Sequence, residues 1–301
     1  MRMRAAAVLG LGITHRDLSP FCLAGIEVSE VAPGSDFTGY DAVLIFGGDG
    51  TLHHQLPGLV KSRTPVLVVP RGSGNDFAAA CGVRSREIAV KTWRSFCSGE
   101  VHEHTRTVDA GLIICGAKAG DRDGAASSQI PFCNATATGL DAAANRAANR
   151  QPRWLRANGG YFFSALGAIA LYRSSTIRVL LGDSGGPWRD WLDEPATLVA
   201  VANNSTYGGG IRIAPEAVLD DGKLDVCFIR ASTRWDLLKL FPKVIRGEHL
   251  GVPQVKYVQA ERVRIETACP TDCYADGEFA CPNPVEIRVL PKALRVISAE
   301  L

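Results

Sequence analysis

Phe46-Gly-Gly-Asp-Gly-Thr51 and Pro70-Arg-Gly-Ser-Gly-Asn-Asp-Phe77 are the most informative segments of this 301-residue chain. Each follows a short apolar run, Ala42–Phe46 in the first case and Pro65–Val69 in the second. Short β-branched runs that end in glycine are typical of buried parallel strands, and open α/β sheets bind ligands at the carboxyl ends of their strands. Glycine lets the backbone approach a ligand closely and turn its N–H groups toward phosphate oxygens. The two segments therefore predict a phosphate site at one edge of a parallel sheet.

A carboxylate and several polar side chains lie within these glycine loops. Asp49 is in the first loop and could act on a metal ion or on an attacking hydroxyl, while Ser73 and Asn75 are in the second. Gly-Gly-Asp-Gly alone can be a tight turn, and Asn75 and Asp76 could equally cap a following helix. The chain has neither a Walker A motif nor a complete Gly-x-Gly-x-x-Gly fingerprint. Two such loops on successive strands nevertheless favour phosphate binding over unrelated turns.

Three further segments, taken with the two loops, resemble the catalytic domain of the diacylglycerol kinase family, which includes bacterial lipid kinases and sphingosine and ceramide kinases. They are Asn203–Gly210, Ile213–Val226 and Asp276-Gly-Glu278, and the five blocks stand in the family order over residues 42–279. The first block alone would also fit NAD kinases and phosphofructokinases. The resemblance implies transfer of the γ-phosphoryl group of ATP, with Mg²⁺, to the hydroxyl of a diacylglycerol-like or sphingoid lipid.

The periodicity along the chain predicts two domains. Residues 1–108 alternate strands with helices, which is typical of a mostly parallel sheet flanked by helices. From residue 109, many short strand-like segments separated by glycine and proline turns predict an antiparallel β-sandwich. Two helices are expected within it, near Asp141–Arg150 and Gly160–Tyr172. We expect an α/β nucleotide-binding domain over 1–108 and a β-sandwich domain over 109–301 that holds the lipid acceptor, with the active site in the cleft between the two.

The resemblance also assigns roles to individual residues. In the family, the glutamate of Asp-Gly-Glu accepts the proton, and the matching position here is Glu278, although Asp276-Gly-Glu278 alone would be read as a hairpin turn. Asp49 is the second candidate catalytic acid. The resemblance also implies a structural Mg²⁺ bound by the Asp221 side chain and the carbonyls of Val218 and Lys223. Hard cations prefer such oxygen ligands. The same segment is also expected to form a turn. The implied nucleotide contacts are Gly47, Gly48, Asp49, Gly50, Thr51, Leu52, His53, Gly72, Ser73 and Asn75.

The segment before the first loop departs from the family pattern. Family members open with an Asn-Pro-type loop and a longer stretch before Gly-Gly-Asp-Gly, whereas Val8–Arg16 stands in that place here. The adenine and ribose contacts are therefore not carried over. Two alternatives stay open: an NAD-kinase-like phosphotransferase with a soluble acceptor, and a non-catalytic nucleotide-binding module. The Pro70–Asp76 and Asp276-Gly-Glu278 segments favour a lipid kinase over the first alternative, and the intact acids favour it over the second.

Composition limits the partners and the location. The chain is 46% hydrophobic and 21% charged, which is ordinary for a globular protein, and its net charge of +2 gives no case for nucleic acid. No apolar stretch has the length of a membrane-spanning helix, whereas a lipid acceptor requires access to the membrane surface. We expect a protein that is peripheral at the membrane and, from its cysteine usage, cytoplasmic. The aromatic segment Tyr161–Tyr172 or the chain near Trp154 is a candidate for docking, although core packing also explains it. A homodimer is compatible with these features.

Cysteine usage favours a reduced protein. The chain has nine cysteines, an odd number scattered through its length, which argues for free thiols rather than a disulfide framework. Cys269, Cys273 and Cys281 flank Asp276-Gly-Glu278 but include no Cys-x-x-Cys pair, so a zinc site there is weakly supported and stays open.

Overall fold

Residues 3–99, 104–116, 128–149, 167–170 and 172–299 are described by the computed structural model. The chain divides into two units, the first made of Met1–Asp109 with Lys292–Leu301 and the second of Ala110–Pro291. Within the described residues, no helix is both long and apolar enough to cross a membrane. Of the helix predicted over 160–172, residues 167–170 are described and are helical, whereas residues 160–166 and 171 lie outside the described residues. The docking candidate Trp154 also lies outside them.

The first unit contains a parallel sheet flanked by helices. Its strands are β1 (Met3–Leu9), β2 (Ile26–Glu30), β3 (Ala42–Gly47) and β4 (Val66–Pro70), in the order β2-β1-β3-β4 and all parallel. All six residues of β3 are buried, as expected for a strand that is covered on both faces. The helices are α1 (His15–Leu18), α2 (Asp49–His53), α3 (Leu56–Ser62), α4 (Asp76–Ala80) and α5 (Arg86–Cys97).

The second unit consists mostly of antiparallel strands. They are β5 (Thr105–Cys115), β6 (Gln129–Phe132), β7 (Ala135–Gly139), β8 (Ser175–Gly182), β9 (Arg189–Ala202), β10 (Leu224–Arg230), β11 (Val255–Ala260), β12 (Arg262–Thr267), β13 (Asp272–Ala275), β14 (Glu278–Pro282) and β15 (Val285–Ile297). The order is β14-β13-β7-β9-β8-β12-β15, with β10 joining β9 to β11 and β5 joining β15 to β6. Two helices, α6 (Leu140–Asn149) and α7 (Arg234–Arg246), follow β7 and β10. The predicted fold class, an α/β unit followed by a β-sandwich unit, is confirmed.

Strand β15 carries the chain back to the first unit. Its first half pairs with β12, whereas Val296 pairs in parallel with Val66 of β4. The segment is held further by the Ser298 hydroxyl, which donates to the Cys81 carbonyl (2.8 Å). Residues 292–301 therefore belong to the first unit, whereas the sequence analysis placed them in a second domain over 109–301. The difference arises because one long strand, β15, pairs with strands of both units.

One pair of cysteines is oxidised, which corrects the expectation that all nine are free thiols. Cys115 at the end of β5 and Cys281 on β14 form a disulfide bond, with Cα atoms 6.1 Å apart. The two residues are 166 positions apart in sequence, so spacing could not pair them. With Cys281 bonded to Cys115, the candidate zinc ligands Cys269, Cys273 and Cys281 do not form a thiolate set, and no group of three metal-ligating side chains occurs in the described residues.

Candidate active site

The two glycine loops of the first unit touch each other through their backbones. Gly48 precedes α2 and Gly72 lies in the loop between β4 and α4. A Cβ atom added to Gly72 would lie 2.5 Å from the Cα of Gly48, and one added to Gly48 would lie 2.8 Å from the Cα of Gly72. Only residues without a side chain allow this approach. The structure therefore brings together the two segments that the sequence predicts to share one site.

Asp49 joins the two loops through its carboxylate. It lies in the first turn of α2, and its two oxygens accept the backbone N–H groups of Asp76 (2.9 Å) and Phe77 (3.1 Å) at the start of α4. A carboxylate suits this position because the first N–H groups of a helix have no partner within the helix. Asp49 thus has a structural function that the sequence analysis did not predict, in addition to its proposed catalytic one.

The other predicted nucleotide contacts fall into two groups. Ser73 is exposed, so its hydroxyl is accessible to a ligand, whereas Asn75 uses its amide to accept from the Gly72 N–H (2.8 Å) and to donate to the Gly72 carbonyl (2.7 Å). Leu52 is fully buried and His53 nearly so, which leaves their backbone rather than their side chains for a ligand. Asn75 has a left-handed backbone with φ of 57°, which asparagine tolerates better than most residues. Gly47, Gly50 and Thr51 complete the first loop.

The segment after β1 forms a third loop at the same edge of this sheet. The Gly10 N–H donates to the Phe46 carbonyl (2.8 Å), and a Cβ at Gly10 would lie 2.7 Å from that oxygen and 3.1 Å from Thr51 Oγ1. Gly10 was missed as a site residue because Gly10-Leu-Gly12 alone matches no fingerprint. The signal was present only as a glycine after a buried strand, next to other glycine loops.

A second residue missed by sequence analysis is Arg71, which links the second loop to α1. Its guanidinium forms an ion pair with Asp17 of α1, and Arg86 lies 3.9 Å from the same carboxylate. The hydrogen bond from the Thr14 backbone N–H lowers the pKa of Asp17, and the charges of Arg71 and Arg86 lower it further. Two guanidinium groups therefore lie close to the glycine loops.

In the second unit, Asp276 and Glu278 occupy one turn but have different surroundings. Asp276 (φ 49°) and Gly277 (φ 88°) form the left-handed turn between β13 and β14. The Asp276 carboxylate accepts the backbone N–H groups of three successive residues before and within β7, namely Cys133 (3.0 Å), Asn134 (2.8 Å) and Ala135 (3.3 Å). Glu278 pairs with Ala275 through its backbone, whereas its side chain forms no hydrogen bond or ion pair within the described residues. Asp276 therefore anchors the turn, and Glu278 is left available for chemistry.

A buried carboxylate at the start of α6 was not predicted. Asp141 accepts the hydroxyl hydrogen of Tyr207 (2.7 Å) and a hydrogen from the Asn145 amide (2.7 Å), and it lines an otherwise mostly apolar cavity of about 60 Å³. The apolar lining comes from β9, β10, α7 and their surroundings and includes Leu198, Ile213, Ile229, Leu237, Leu240 and Val244. An apolar lining with a few polar groups is typical of small-molecule sites.

The predicted Mg²⁺ site lies in the turn before β10. Asp221 accepts from the Lys223 backbone N–H (3.0 Å) and from the Gln259 amide (3.2 Å), and Asp225 accepts from the same amide (3.2 Å). The second oxygen of Asp225 is buried and has no hydrogen-bond donor among the described residues, and burial raises the pKa of this carboxyl. Asp221 and Asp225 therefore converge on one amide, and carboxylate oxygens are ligands that hard cations prefer. The Mg²⁺ ligands Asp221, Val218 and Lys223 stay a prediction.

Comparison with known proteins matches both units. The model of the diacylglycerol kinase catalytic domain matches residues 25–113, and that of the YegS C-terminal NAD kinase beta sandwich-like domain matches residues 134–298. The chain is 33% identical to a diacylglycerol kinase of Mycobacterium tuberculosis (strain ATCC 25618 / H37Rv) over 266 residues, which cover 86% of this chain and 77% of that protein. It is 22% identical to a diacylglycerol kinase of Bacillus subtilis (strain 168), covering 86% and 78%.

A solved structure supports the same fold. The structure of a diacylglycerol kinase from Bacillus anthracis str. Sterne superposes with a TM-score of 0.70, covering 99% of this chain and 97% of that one at 21% identity. At this identity the likeness concerns the fold. The family resemblance stated from the sequence is confirmed by the family models and by the mycobacterial relative.

Proposed function

Because the chain belongs to the diacylglycerol kinase family, whose members are lipid phosphotransferases, we propose that it transfers the γ-phosphoryl group of ATP to the hydroxyl of a diacylglycerol-like or sphingoid lipid. One observation favours a lipid over a soluble acceptor: the mostly apolar cavity of the second unit with the carboxylate of Asp141 in its lining. A soluble acceptor with many polar groups would find few partners among those side chains. The NAD-kinase-like alternative predicts a more polar acceptor site.

The first unit is proposed to bind the nucleotide through its glycine loops. Backbone N–H groups of Gly48 and Gly50 and the hydroxyls of Thr51 and Ser73 are donors for phosphate oxygens. Arg71 carries a positive charge beside the second loop, and its ion pair with Asp17 holds it in place. Mg²⁺ bound with ATP would supply charge neutralisation at the transferred phosphate. Asp49 keeps the two loops together and contributes the negative charge that such a cation needs.

The second unit is proposed to supply the base and to hold the acceptor. Glu278 takes the proton of the lipid hydroxyl as that oxygen attacks phosphorus, and Asp276 keeps the turn in shape. Asp141 and Tyr207 provide polar contacts for the lipid headgroup. A structural Mg²⁺ is proposed at Asp221 with the carbonyls of Val218 and Lys223.

The volume of the cavity bears on how a lipid is held. About 60 Å³ has room for only a short part of an acyl chain. The rest of the chain would then stay in the lipid phase during the reaction, which is the arrangement of an enzyme that works peripherally at a membrane surface. A homodimer stays a prediction.

The proposed function is tested by incubating the protein with labelled ATP, Mg²⁺ and a panel of acceptors, followed by chromatography of the products. The panel contains a diacylglycerol, a ceramide, a sphingoid base and NAD. A labelled lipid product that is lost in Glu278→Gln supports the proposal. Labelled NADP would support the NAD-kinase-like alternative, and no product with any acceptor would support a non-catalytic nucleotide-binding module.

A further inference from the structure

Helix α7 has apolar side chains on two faces, and only one face packs on the second unit. Leu237, Leu240 and Val244 are buried and line the cavity proposed for the lipid. Trp235 and Leu238, in contrast, are 74% and 40% exposed. Because residues three apart on a helix are neighbours, these two side chains lie together on the outward face. An exposed tryptophan beside an exposed leucine contributes little to the core and indicates an interaction surface.

The charge of α7 identifies the partner that this surface suits. The helix contains four lysine and arginine residues and one aspartate, a net charge of +3, whereas the whole chain has a net charge of +2. Arg234, Lys239 and Lys243 are exposed and form no ion pair within the described residues. Arg246 is paired with Glu248 (2.9 Å). Three cations that are unpaired among the described residues therefore lie on the helix that carries the exposed tryptophan.

The two lysines also line a depression on the surface. Lys239 and Lys243 are one helical turn apart, and with Ser232, Gln254 and one carboxylate, that of Asp236, they line a cavity of about 120 Å³, so two cations outnumber one acid there. Ammonium groups around such a cavity can contact the phosphate group of a lipid. Tryptophan is favoured at the headgroup level of a bilayer, and basic residues next to it are attracted to anionic lipids.

We propose that the outward face of α7, formed by Trp235, Leu238, Lys239 and Lys243, docks on an anionic lipid bilayer. This inference rests on the proposed function, because it assigns a role to a helix whose inward face lines the proposed lipid cavity. Docking by α7 would bring the cavity wall to the level of the lipid headgroups. A lipid could then enter without leaving the bilayer completely.

Vesicle sedimentation tests the charge requirement. The protein is mixed with phosphatidylcholine vesicles, with and without phosphatidylglycerol, at low ionic strength. The variant Lys239→Gln/Lys243→Gln is expected to bind the anionic vesicles about 25-fold more weakly, because each cation near such a surface contributes about fivefold. The control Lys91→Gln/Lys256→Gln removes the same charge from exposed positions elsewhere and should change binding about twofold or less. Equal losses in the two variants would overturn the proposal.

Tryptophan fluorescence tests the position of the helix. Brominated lipids in anionic vesicles should quench the emission of Trp235, and this quenching should disappear in Trp235→Phe, which keeps an aromatic side chain and vesicle binding. The variant Trp235→Ser/Leu238→Ser should lose vesicle binding itself. Quenching that persists unchanged in Trp235→Phe, or vesicle binding that the serine variant retains, would overturn the assignment of α7.

Kinase activity separates the docking proposal from the proposed function. A short-chain, water-dispersed diacylglycerol needs no docking, so the α7 variants should phosphorylate it at the wild-type rate and lose activity only on vesicles. If the wild type binds vesicles through α7 but phosphorylates neither lipid, the proposed function fails and docking stands. If all variants phosphorylate vesicle lipid at the wild-type rate, docking by α7 is refuted and the proposed function stands.

Discussion

Replacing Glu278 by glutamine tests the proposed general base, and Asp276 in the same turn provides a matched control. The Glu278 side chain forms no hydrogen bond or ion pair within the described residues, so Glu278→Gln should change the free energy of unfolding by less than about 0.5 kcal/mol. Glutamine keeps the size of the side chain and removes its basicity. Because a positioned base contributes about 10²–10⁴-fold, kcat should fall by that factor while ATP affinity stays nearly constant.

The change Asp276→Asn should have the opposite profile. The Asp276 carboxylate accepts three backbone N–H groups at 2.8, 3.0 and 3.3 Å, through both of its oxygens. Asparagine has a single acceptor oxygen, so at least one of these donors loses its partner, at a cost of about 1–3 kcal/mol. In a unit of this size, each kcal/mol lowers the Tm by about 2–4 °C.

Three measurements separate the two effects. Labelled ATP with a lipid acceptor gives kcat, equilibrium binding of a fluorescent ATP analogue gives nucleotide affinity, and calorimetry gives the Tm. The assignment of the base is refuted if Glu278→Gln keeps kcat within about tenfold of the wild type. It is also refuted if Glu278→Gln weakens ATP binding at unchanged kcat, since Glu278 would then bind nucleotide or metal and Asp49 would be the remaining candidate base.

Three further predictions concern stability and the nucleotide loops. Asp49→Asn should lower turnover on the order of 10²-fold or more, with the protein still folded because the amide oxygen can accept one of the two N–H groups; near-normal turnover would contradict this. Cys115→Ala/Cys281→Ala should lower the free energy of unfolding in urea titrations by about 2–5 kcal/mol, because the disulfide bond closes a long loop. A reductant should lower the free energy of unfolding of the wild type by the same amount and leave that of the variant unchanged. Burial lowers the pKa of His249 below its ordinary value of 6.5. Below pH 6.5 the unfolded ring therefore binds a proton that the folded ring does not, and the free energy of unfolding should decrease with falling pH; urea titrations of His249→Gln should show a weaker decrease.

The parts of the site that depend on local backbone geometry could be predicted from the sequence. Gly48 and Gly72 are glycines because their backbones touch, and this requirement is visible as two glycine loops after two strands. The hydrogen bond between Asp141 and Tyr207 could not be predicted, because it joins residues 66 positions apart and neither belongs to a local pattern that requires the other.

Arg71 and Leu52 show a second limit. Each was judged by its place in a motif, but only the fold determines where a side chain points. Arg71 reaches α1, where it pairs with Asp17, and Leu52 turns into the core. Motifs identify which backbone segments meet a ligand, while tertiary packing decides which of their side chains do.

The return of β15 to the first unit affects how the protein is made. During translation, β1 to β4 leave the ribosome early, but Val296, which pairs with Val66 at the edge of β4, is added only after the whole of Ala110–Pro291 has been synthesised. Until then β4 has an unpaired edge, and such edges associate with other chains. We therefore expect the nascent first unit to stay exposed to such association until the last strand has been synthesised. A nascent chain stalled before residue 292 should be more sensitive to protease than the released protein.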